Sequence, residues 1–422
     1  MHGETDKMNK TTYDSRKQVT SADFKKHYDN FPRSVINMYK MLTSDQITDL
    51  EKGKKYQYII NKKAYIVIDG KTTKIAMGED YNFVFDKTNG NFNRWGKNFK
   101  DDPQFSPIGP EIADIEITTI CSGCLSKNKD KNGKFIRKSC SFCYKSNTPN
   151  GINMSFETFK KSIDKLPKTL TQVAFGIDST ATSNPDLWKM ADYCRQIGII
   201  PNVTIADISD DIADKLANVM GAVAVSRYEN KDACYDTVQK LVKRGMKQVN
   251  IHYMISTESF KGCIETINDM TTDKRLKGMN ALVMLSLKKK GRGVSFHSLS
   301  SKQYNTLVNL ALEKKIGFGF DSCGCKKFFD AIKDHADYDH FKQVGEPCES
   351  TLFSWYMGAD AKCYPCSFCD NTEGWKKGIN VINNKDFLND IWYNKRMEIF
   401  RKRLINNCNN RHKARECFIY DI

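Results

Sequence analysis

The sequence predicts an α/β fold, and three observations carry the prediction. From Asp114 onward, short apolar runs alternate with helical patterns at a spacing of about 25 to 35 residues. Several of the helical patterns open on capping side chains, among them Ser155, Ser209 and Thr257. The chain has 422 residues, 40% of them hydrophobic and 27% charged, enough to bury a large core and to form two or three units. Repeated βα units require a parallel sheet covered by helices, either an open doubly wound sheet or a closed or partial barrel.

Taken in order, residues 1 to about 20 are polar and expected to be disordered, and Ala22 to Leu50 carries helical spacing at Phe24, Tyr28, Val35, Ile36, Tyr39 and Leu42. Two β-rich runs, Tyr56–Ile60 and Ala64–Ile68, flank Asn61-Lys62-Lys63 as a hairpin, and Asp69-Gly70 offers a turn before Lys74–Met77. Residues 1–113 thus read as a small N-terminal α+β unit in which nothing suggests catalysis. The repeats follow, with strands at 114–120, 171–176, 199–205, 222–226, 248–254 and 280–287. Helices intervene at roughly 155–166, 185–197, 209–219, 231–244 and 258–270, and a further helix at 301–314 leads to a seventh strand candidate, Gly317–Phe320. In either parallel architecture chemistry gathers at the C-terminal strand ends.

No uninterrupted run of 18 or more apolar residues is present, and Met1–Lys7 lacks the apolar core of a secretory signal. A soluble cytoplasmic protein without membrane contact is expected. Sixty-six Lys and Arg against fifty Asp and Glu leave a formal charge of +16, which favours acidic partners without naming one. Fifteen Cys in such a chain point to metal or redox chemistry, not to a disulfide framework. Cys194, Cys234 and Cys263 fall in helical patterns and read as small buried hydrophobes. The others cluster: Cys121, Cys124, Cys140 and Cys143 begin where the first strand ends, and Cys348, Cys363, Cys366, Cys369, Cys408 and Cys417 lie near the C-terminus, with Cys323 and Cys325 between.

By spacing alone the first group, C-x2-C, x15, C-x2-C, suits a tetrahedral zinc site. The alternative is an iron–sulfur cluster held by three thiolates with one iron left open. On the run Ile117-Thr118-Thr119-Ile120-Cys121, the pair Cys140-x2-Cys143 and the aromatics Phe142 and Tyr144, the chain resembles the radical S-adenosylmethionine (radical SAM) enzymes. It departs from their C-x3-C-x2-C loop by a long insertion, giving C-x18-C-x2-C from Cys121 or C-x15-C-x2-C from Cys124; Cys121 is preferred because it directly follows the strand. The resemblance implies a partial (βα)6 barrel over 114–322 and a [4Fe-4S] cluster on Cys121, Cys140 and Cys143. S-adenosylmethionine (SAM) would bind near Phe142, Tyr144, Gly176, Asp178, Ser226, Arg227 and His252. Reductive cleavage of SAM would give a 5′-deoxyadenosyl radical that abstracts a substrate hydrogen.

The C-terminal third resembles the SPASM or twitch extension of that family through Cys348-x9-Gly358-x4-Cys363 and Tyr364-Pro365-Cys366-Ser367-Phe368. It implies a domain over 323–422 with an auxiliary [4Fe-4S] cluster on Cys348, Cys366 and Cys417. The fourth ligand would be Cys323 or one of the alternates Cys363, Cys369 and Cys408. A peptide or protein substrate is favoured, with a flavodoxin or ferredoxin as electron donor. The less favoured readings are a radical SAM enzyme acting on a nucleotide or nucleic acid and a non-enzymatic zinc-binding nucleic-acid module. The first of these draws on the net charge, on the loop Lys288–Gly293 and on the basic residues from Lys395 to Arg415.

Overall fold

The computed structural model of the chain describes residues 42–372, 374–409, 414–420 and 422. Most of the helix expected over 22–50, and the stretch before it, lie outside them. The end of that pattern is α1 (Ser44–Lys52), opened by a capping box in which Thr43 and Gln46 satisfy each other's backbone N–H groups. Five antiparallel strands follow as a meander, β1 (Lys54–Ile60), β2 (Lys63–Asp69), β3 (Thr73–Gly78), β4 (Asn82–Asp86) and β5 (Phe92–Trp95). The expected hairpin turns at Asn61 and Lys62, whose φ of 48° and 67° suit a two-residue turn matched to the strand twist. Alternation on β2 divides its side chains: Ile66 and Ile68 join Leu50 of α1 and Trp95 in one core, while Tyr65 and Val67 join the main core.

The chain then enters the βα series: β6 (Ile112–Glu116), a hairpin of β7 (Cys124–Lys129) and β8 (Phe135–Lys138), α2 (Phe156–Ile163), β9 (Gln172–Gly176), α3 (Leu187–Gln196), β10 (Ile200–Ile205), α4 (Asp210–Val219) and β11 (Ala222–Ser226). It continues as α5 (Lys231–Lys243), β12 (Val249–Ile255), α6 (Phe260–Thr272), β13 (Ala281–Ser286), α7 (Ser301–Glu313) and β14 (Phe318–Phe320). β6 and β9 to β14 pair in parallel and in chain order. Right-handed crossovers between strands in chain order place the helices on one face and leave the other face for a site. Cys194, Cys234 and Cys263 are buried on α3, α5 and α6, as their helical setting implied.

After α8 (Cys325–Ala331) and α9 (Tyr338–Val344), β15 (Ser354–Met357) returns to the same sheet, parallel to β6, and a hairpin links it to β16 (Lys362–Tyr364) and β17 (Ile379–Asn380) before α10 (Lys395–Asn406). The sequence reading did not foresee β15 as a sheet strand, because the pairing joins segments some 240 positions apart.

Two details differ from expectation. The first strand leaves the sheet at Glu116 instead of 120: Thr119 and Cys121 donate their N–H groups to Ile152 and Thr148, and Thr118 Oγ1 accepts the Ile120 N–H. Thr257 does not cap α6; its hydroxyl and N–H bond to the 297–298 backbone, and Ser259 stands at the cap.

Candidate functional site

Along each parallel strand, alternate side chains face away from the helices. On β6 these are Asp114 and Glu116, while Ala113 and Ile115 are fully buried beneath the helices. The same alternation presents Ala174 and Gly176 of β9, Thr204 of β10, Ser226 of β11 and His252 and Met254 of β12. Together they line a cavity of about 460 Å³, within the range of small-molecule sites. Cys121, Cys124, Cys140 and Cys143 line the same cavity, with Phe142 and Tyr144 between and beside them.

The loop that carries these thiols is firmly seated. Its neck is closed by backbone pairing of 117–121 with 148–154. The β7–β8 hairpin, the long insertion, is tied down by Arg137, which donates to the Gly123 carbonyl and Ser179 Oγ and pairs with Asp207. Arg292 donates to the carbonyls of Cys140 and Asn147, and its N–H to that of Cys143. Phe142 stacks on Tyr228 with ring centroids 5.6 Å apart. Burial pushes the Cys140 thiol up to about 12 and raises that of Cys124 too, and the neighbouring cysteines reinforce both shifts. A thiol raised in this way ionises only with a metal or cation to compensate.

A second cavity, of about 200 Å³, is lined by Cys323, Cys348, Cys366 and Cys417, the four residues assigned to the auxiliary cluster. Burial pushes Cys348 up to about 12 and raises Cys323 and Cys417, whereas the hydrogen bond with Cys369, 3.4 Å away, holds Cys366 below the ordinary thiol. Among the alternates, Cys363 is buried in the β16 pairing, Cys408 is exposed and bonded to the Ile405 carbonyl, and Cys369 adjoins Cys366; none lines the cavity. Among the described residues, no group of three or more His, Cys, Asp or Glu is drawn together tightly enough to hold a single metal ion.

The two cavities share a wall of Asp114, Lys288, Asp321, Ser367 and Phe368. Tyr144, next to Cys143, lies with its ring centroid 4.4 Å from that of Phe368, and Tyr420 donates to the Phe368 carbonyl. Here the basic loop 288–293 finds its partners. Lys288 pairs with Asp321 and sits 4.8 Å from the Phe368 ring, and Lys290 donates to the carbonyls of Phe368 and Asp370.

Of the cofactor-binding residues expected, the structure brings Phe142, Tyr144, Gly176, Ser226 and His252 into the first cavity and leaves two outside its lining. Asp178 accepts hydrogen bonds from Thr180 and from the Thr182 and Ser183 N–H groups, closing the turn after β9. Arg227 follows the inward-facing Ser226, so it falls on the helix side and pairs with Glu265 of α6. Sequence reasoning missed Asp114, Glu116, Lys145 and Tyr356. Tyr356 donates to Glu116 at 2.9 Å, and Lys145 lies 2.5 Å from the Tyr356 hydroxyl and 3.5 Å from Glu116. The one signal available was the alternation Asp114-Ile115-Glu116-Ile117, two carboxylates on one face of an otherwise apolar strand.

No known family profile matches the sequence, and no curated protein matches it. Solved structures do. SuiB of Streptococcus suis bound to S-adenosylmethionine matches with a TM-score of 0.54 at 12% identity, over 74% of each chain. SuiB bound to its precursor peptide SuiA matches with a TM-score of 0.51 at 13% identity, over 70% of this chain and 67% of that one. The chain thus shares its α/β fold with a protein that binds S-adenosylmethionine, in keeping with the radical SAM resemblance of its motifs.

Proposed function

We propose that the chain is a radical SAM enzyme that modifies a peptide or protein. The observation that carries this reading is the convergence of four thiols on a cavity lined by alternate residues of chain-ordered parallel strands. In this reading residues 114–322 form the partial (βα)6 barrel and 323–422 the auxiliary-cluster domain, with 1–113 a unit of unassigned role. The donor set fits a [4Fe-4S] cluster: it is sulfur only, it lines one cavity, and burial makes Cys140 costly to ionise without metal. Cys121, Cys140 and Cys143 hold it, and Cys124, buried at the start of β7, stays a thiol to which Tyr228 donates. Cys323, Cys348, Cys366 and Cys417 hold the auxiliary cluster.

When bound, the cluster and SAM supply one-electron cleavage to methionine and a 5′-deoxyadenosyl radical. The chain's own residues orient and enclose. Gly176 lines the cavity without a side chain, so that a ligand can approach its backbone, and a Cβ there would also press on Glu116 Cα at 3.0 Å. Ser226 offers a hydroxyl, and burial lowers His252 to about 4, so that it faces the cavity as a neutral imidazole. Phe142 and Tyr144 close the cavity against water. The Lys145–Tyr356–Glu116 triplet fixes the position of a proton on the Tyr356 oxygen, because burial, together with the Glu116 carboxylate that accepts from it, holds the phenol protonated.

The peptide preference is supported by the SuiA-bound neighbour. It is also supported by the internal partners of residues that a nucleic acid would need: Arg401 donates to the Thr351 and Trp392 carbonyls, Arg396 to Gly374 and Lys377, and Arg415 to Cys348. Arg411 and Lys413 lie outside the described residues. A cytoplasmic setting and a flavodoxin or ferredoxin donor complete the proposal; no helix among the described residues is long and apolar enough to cross a membrane. The deciding experiment is iron and sulfide analysis of anaerobically reconstituted protein, together with 5′-deoxyadenosine formation on reduction with dithionite. Brown protein that cleaves SAM is expected; colourless protein with stoichiometric zinc sinks the reading.

A further inference from the structure

Charged side chains in the two cavities are almost all matched. Lys145 is held by Glu116 and Tyr356, Lys288 by Asp321, and Arg292 by two carbonyls. Asp114 is the exception: among the described residues no hydrogen bond or ion pair reaches its carboxylate. The reason is local. In the sheet it stands between Ala174 of β9, a methyl group with nothing to donate, and Tyr356 of β15, whose hydroxyl already goes to Glu116. Its side chain is exposed to the open space of both cavities from the wall they share.

A carboxylate that faces a protein cavity without a partner favours the arrival there of a cation or a proton. Consistently, the protein surrounding the cavity pushes Asp114 up to about 6, although the side chain itself is exposed to the open space. The space beside Ala174 leaves room for a group to arrive from the cavity, and the lysines nearby are engaged elsewhere.

We infer that Asp114 anchors a cationic group of the substrate, an ammonium or guanidinium, between the two sets of thiols. The inference deepens the proposed function and rests on it in one respect: if the substrate is a peptide, the group is a Lys or Arg side chain. The carboxylate would then set which residue of the peptide lies at the shared wall, and so which neighbouring carbon faces the SAM end of the cavity.

The test uses the anaerobically reconstituted full chain with SAM and two probes of equal length, N-acetyl-lysine amide and N-acetyl-norleucine amide, measured by calorimetry, beside selection from a random heptapeptide library. The wild type is expected to prefer the lysine probe by about tenfold or more, the scale of one hydrogen bond to a charged group. Asp114→Asn, of the same shape, should lose the preference, and the library should return Lys- and Arg-rich peptides only with wild type. Equal binding of the two probes by wild type, a comparison that needs no variant, overturns the inference, as does a preference that persists in Asp114→Asn. Library peptides retained without basic enrichment, with the two probes bound equally, remove the anchor but leave the peptide reading standing. An Asp114-dependent lysine preference with no peptide retained supports the anchor and removes the peptide reading.

Discussion

Gly291 sits where the basic loop touches the first cysteine loop, and replacing it with Ala tests whether that contact holds the site together. Its φ is +56°, and a Cβ there would lie 2.4 Å from the Tyr144 carbonyl oxygen and 2.6 Å from that of Cys143. Two effects add. The left-handed backbone costs an Ala about 1–2 kcal/mol, and forcing a methyl group against fixed backbone costs about 1–3 kcal/mol more, so about 2–5 kcal/mol is expected in total. Gly245 isolates the first effect, since its φ is +79° and nothing lies within 4 Å of its Cβ position; Gly245→Ala should cost only about 1–2 kcal/mol. Urea unfolding of anaerobically purified protein, followed by tryptophan fluorescence, measures both. If the Gly291 variant instead relieves the clash by parting the loops, the Arg292 bonds to Cys140 and Cys143 stretch, and reconstitution should lose about half the iron while the auxiliary site stays filled. Equal stability costs for the two variants, with iron content unchanged in both, would refute the clamp.

Three further outcomes follow from the geometry. Cys124→Ala should retain most SAM cleavage and Cys121→Ala should abolish it, assayed as 5′-deoxyadenosine; a dead Cys124 variant beside an active Cys121 variant reverses the ligand assignment. Reconstituted wild type should hold about eight irons per chain, and Cys348→Ala or Cys323→Ala should remove about half while leaving the cluster at Cys140 and Cys143 detectable by EPR, whereas full retention of iron excludes the auxiliary set. His252, lowered from 6.5 to about 4, binds its proton more readily in the unfolded chain. Stability must therefore rise with pH between about 4 and 6.5 and be flat above. From pH 7.5 down to 5 this one group should remove about 2 kcal/mol, a loss that His252→Asn abolishes, read from urea unfolding of apoprotein at the two pH values.

The strands of the parallel sheet were legible because each is a short apolar run bounded by turn or capping residues, and a run buried on one side by helices tolerates few substitutes. Glu116 and Asp114 were visible as letters but not as site residues, since nothing local says that this strand's polar face looks into a cavity and not into water. Tyr356 was illegible for a different reason: its meaning depends on β15 pairing with β6, a contact between distant segments with no local signature. Asp178 and Arg227 show the limit of reading strand ends. A one-residue step reverses a side chain's face, and Arg227 stands one residue past the inward Ser226. The insertion after Cys121 reads as polar and featureless, yet it is a hairpin, fixed to Ser179 and Asp207 outside its own span through its Arg137 and the Gly123 carbonyl.

The formal charge of +16 illustrates why composition alone misleads about partners. A surface attracts polyanions through cations that are solvated and unengaged, because binding is driven by release of counterions from phosphate. Here several cations of the two basic segments that stand out in the sequence are engaged within the chain, while Lys289, Lys395, Lys402 and Arg403 stay exposed. Loop 288–293 braces both cysteine loops through Lys288, Lys290 and Arg292, and from the C-terminal segment Arg396, Arg401 and Arg415 donate to backbone carbonyls while Arg403 lies 4.2 Å from the Phe418 ring. Such cations hold parts of the chain to one another and have little left to offer a phosphate. The same accounting leaves a negative charge without a partner among the described residues at Asp114, on the wall that the two cavities share. A local excess of a single sign in an enclosed space is a sharper guide to a ligand than a large excess spread over the whole molecule, since it states both the charge and the place that the ligand must satisfy.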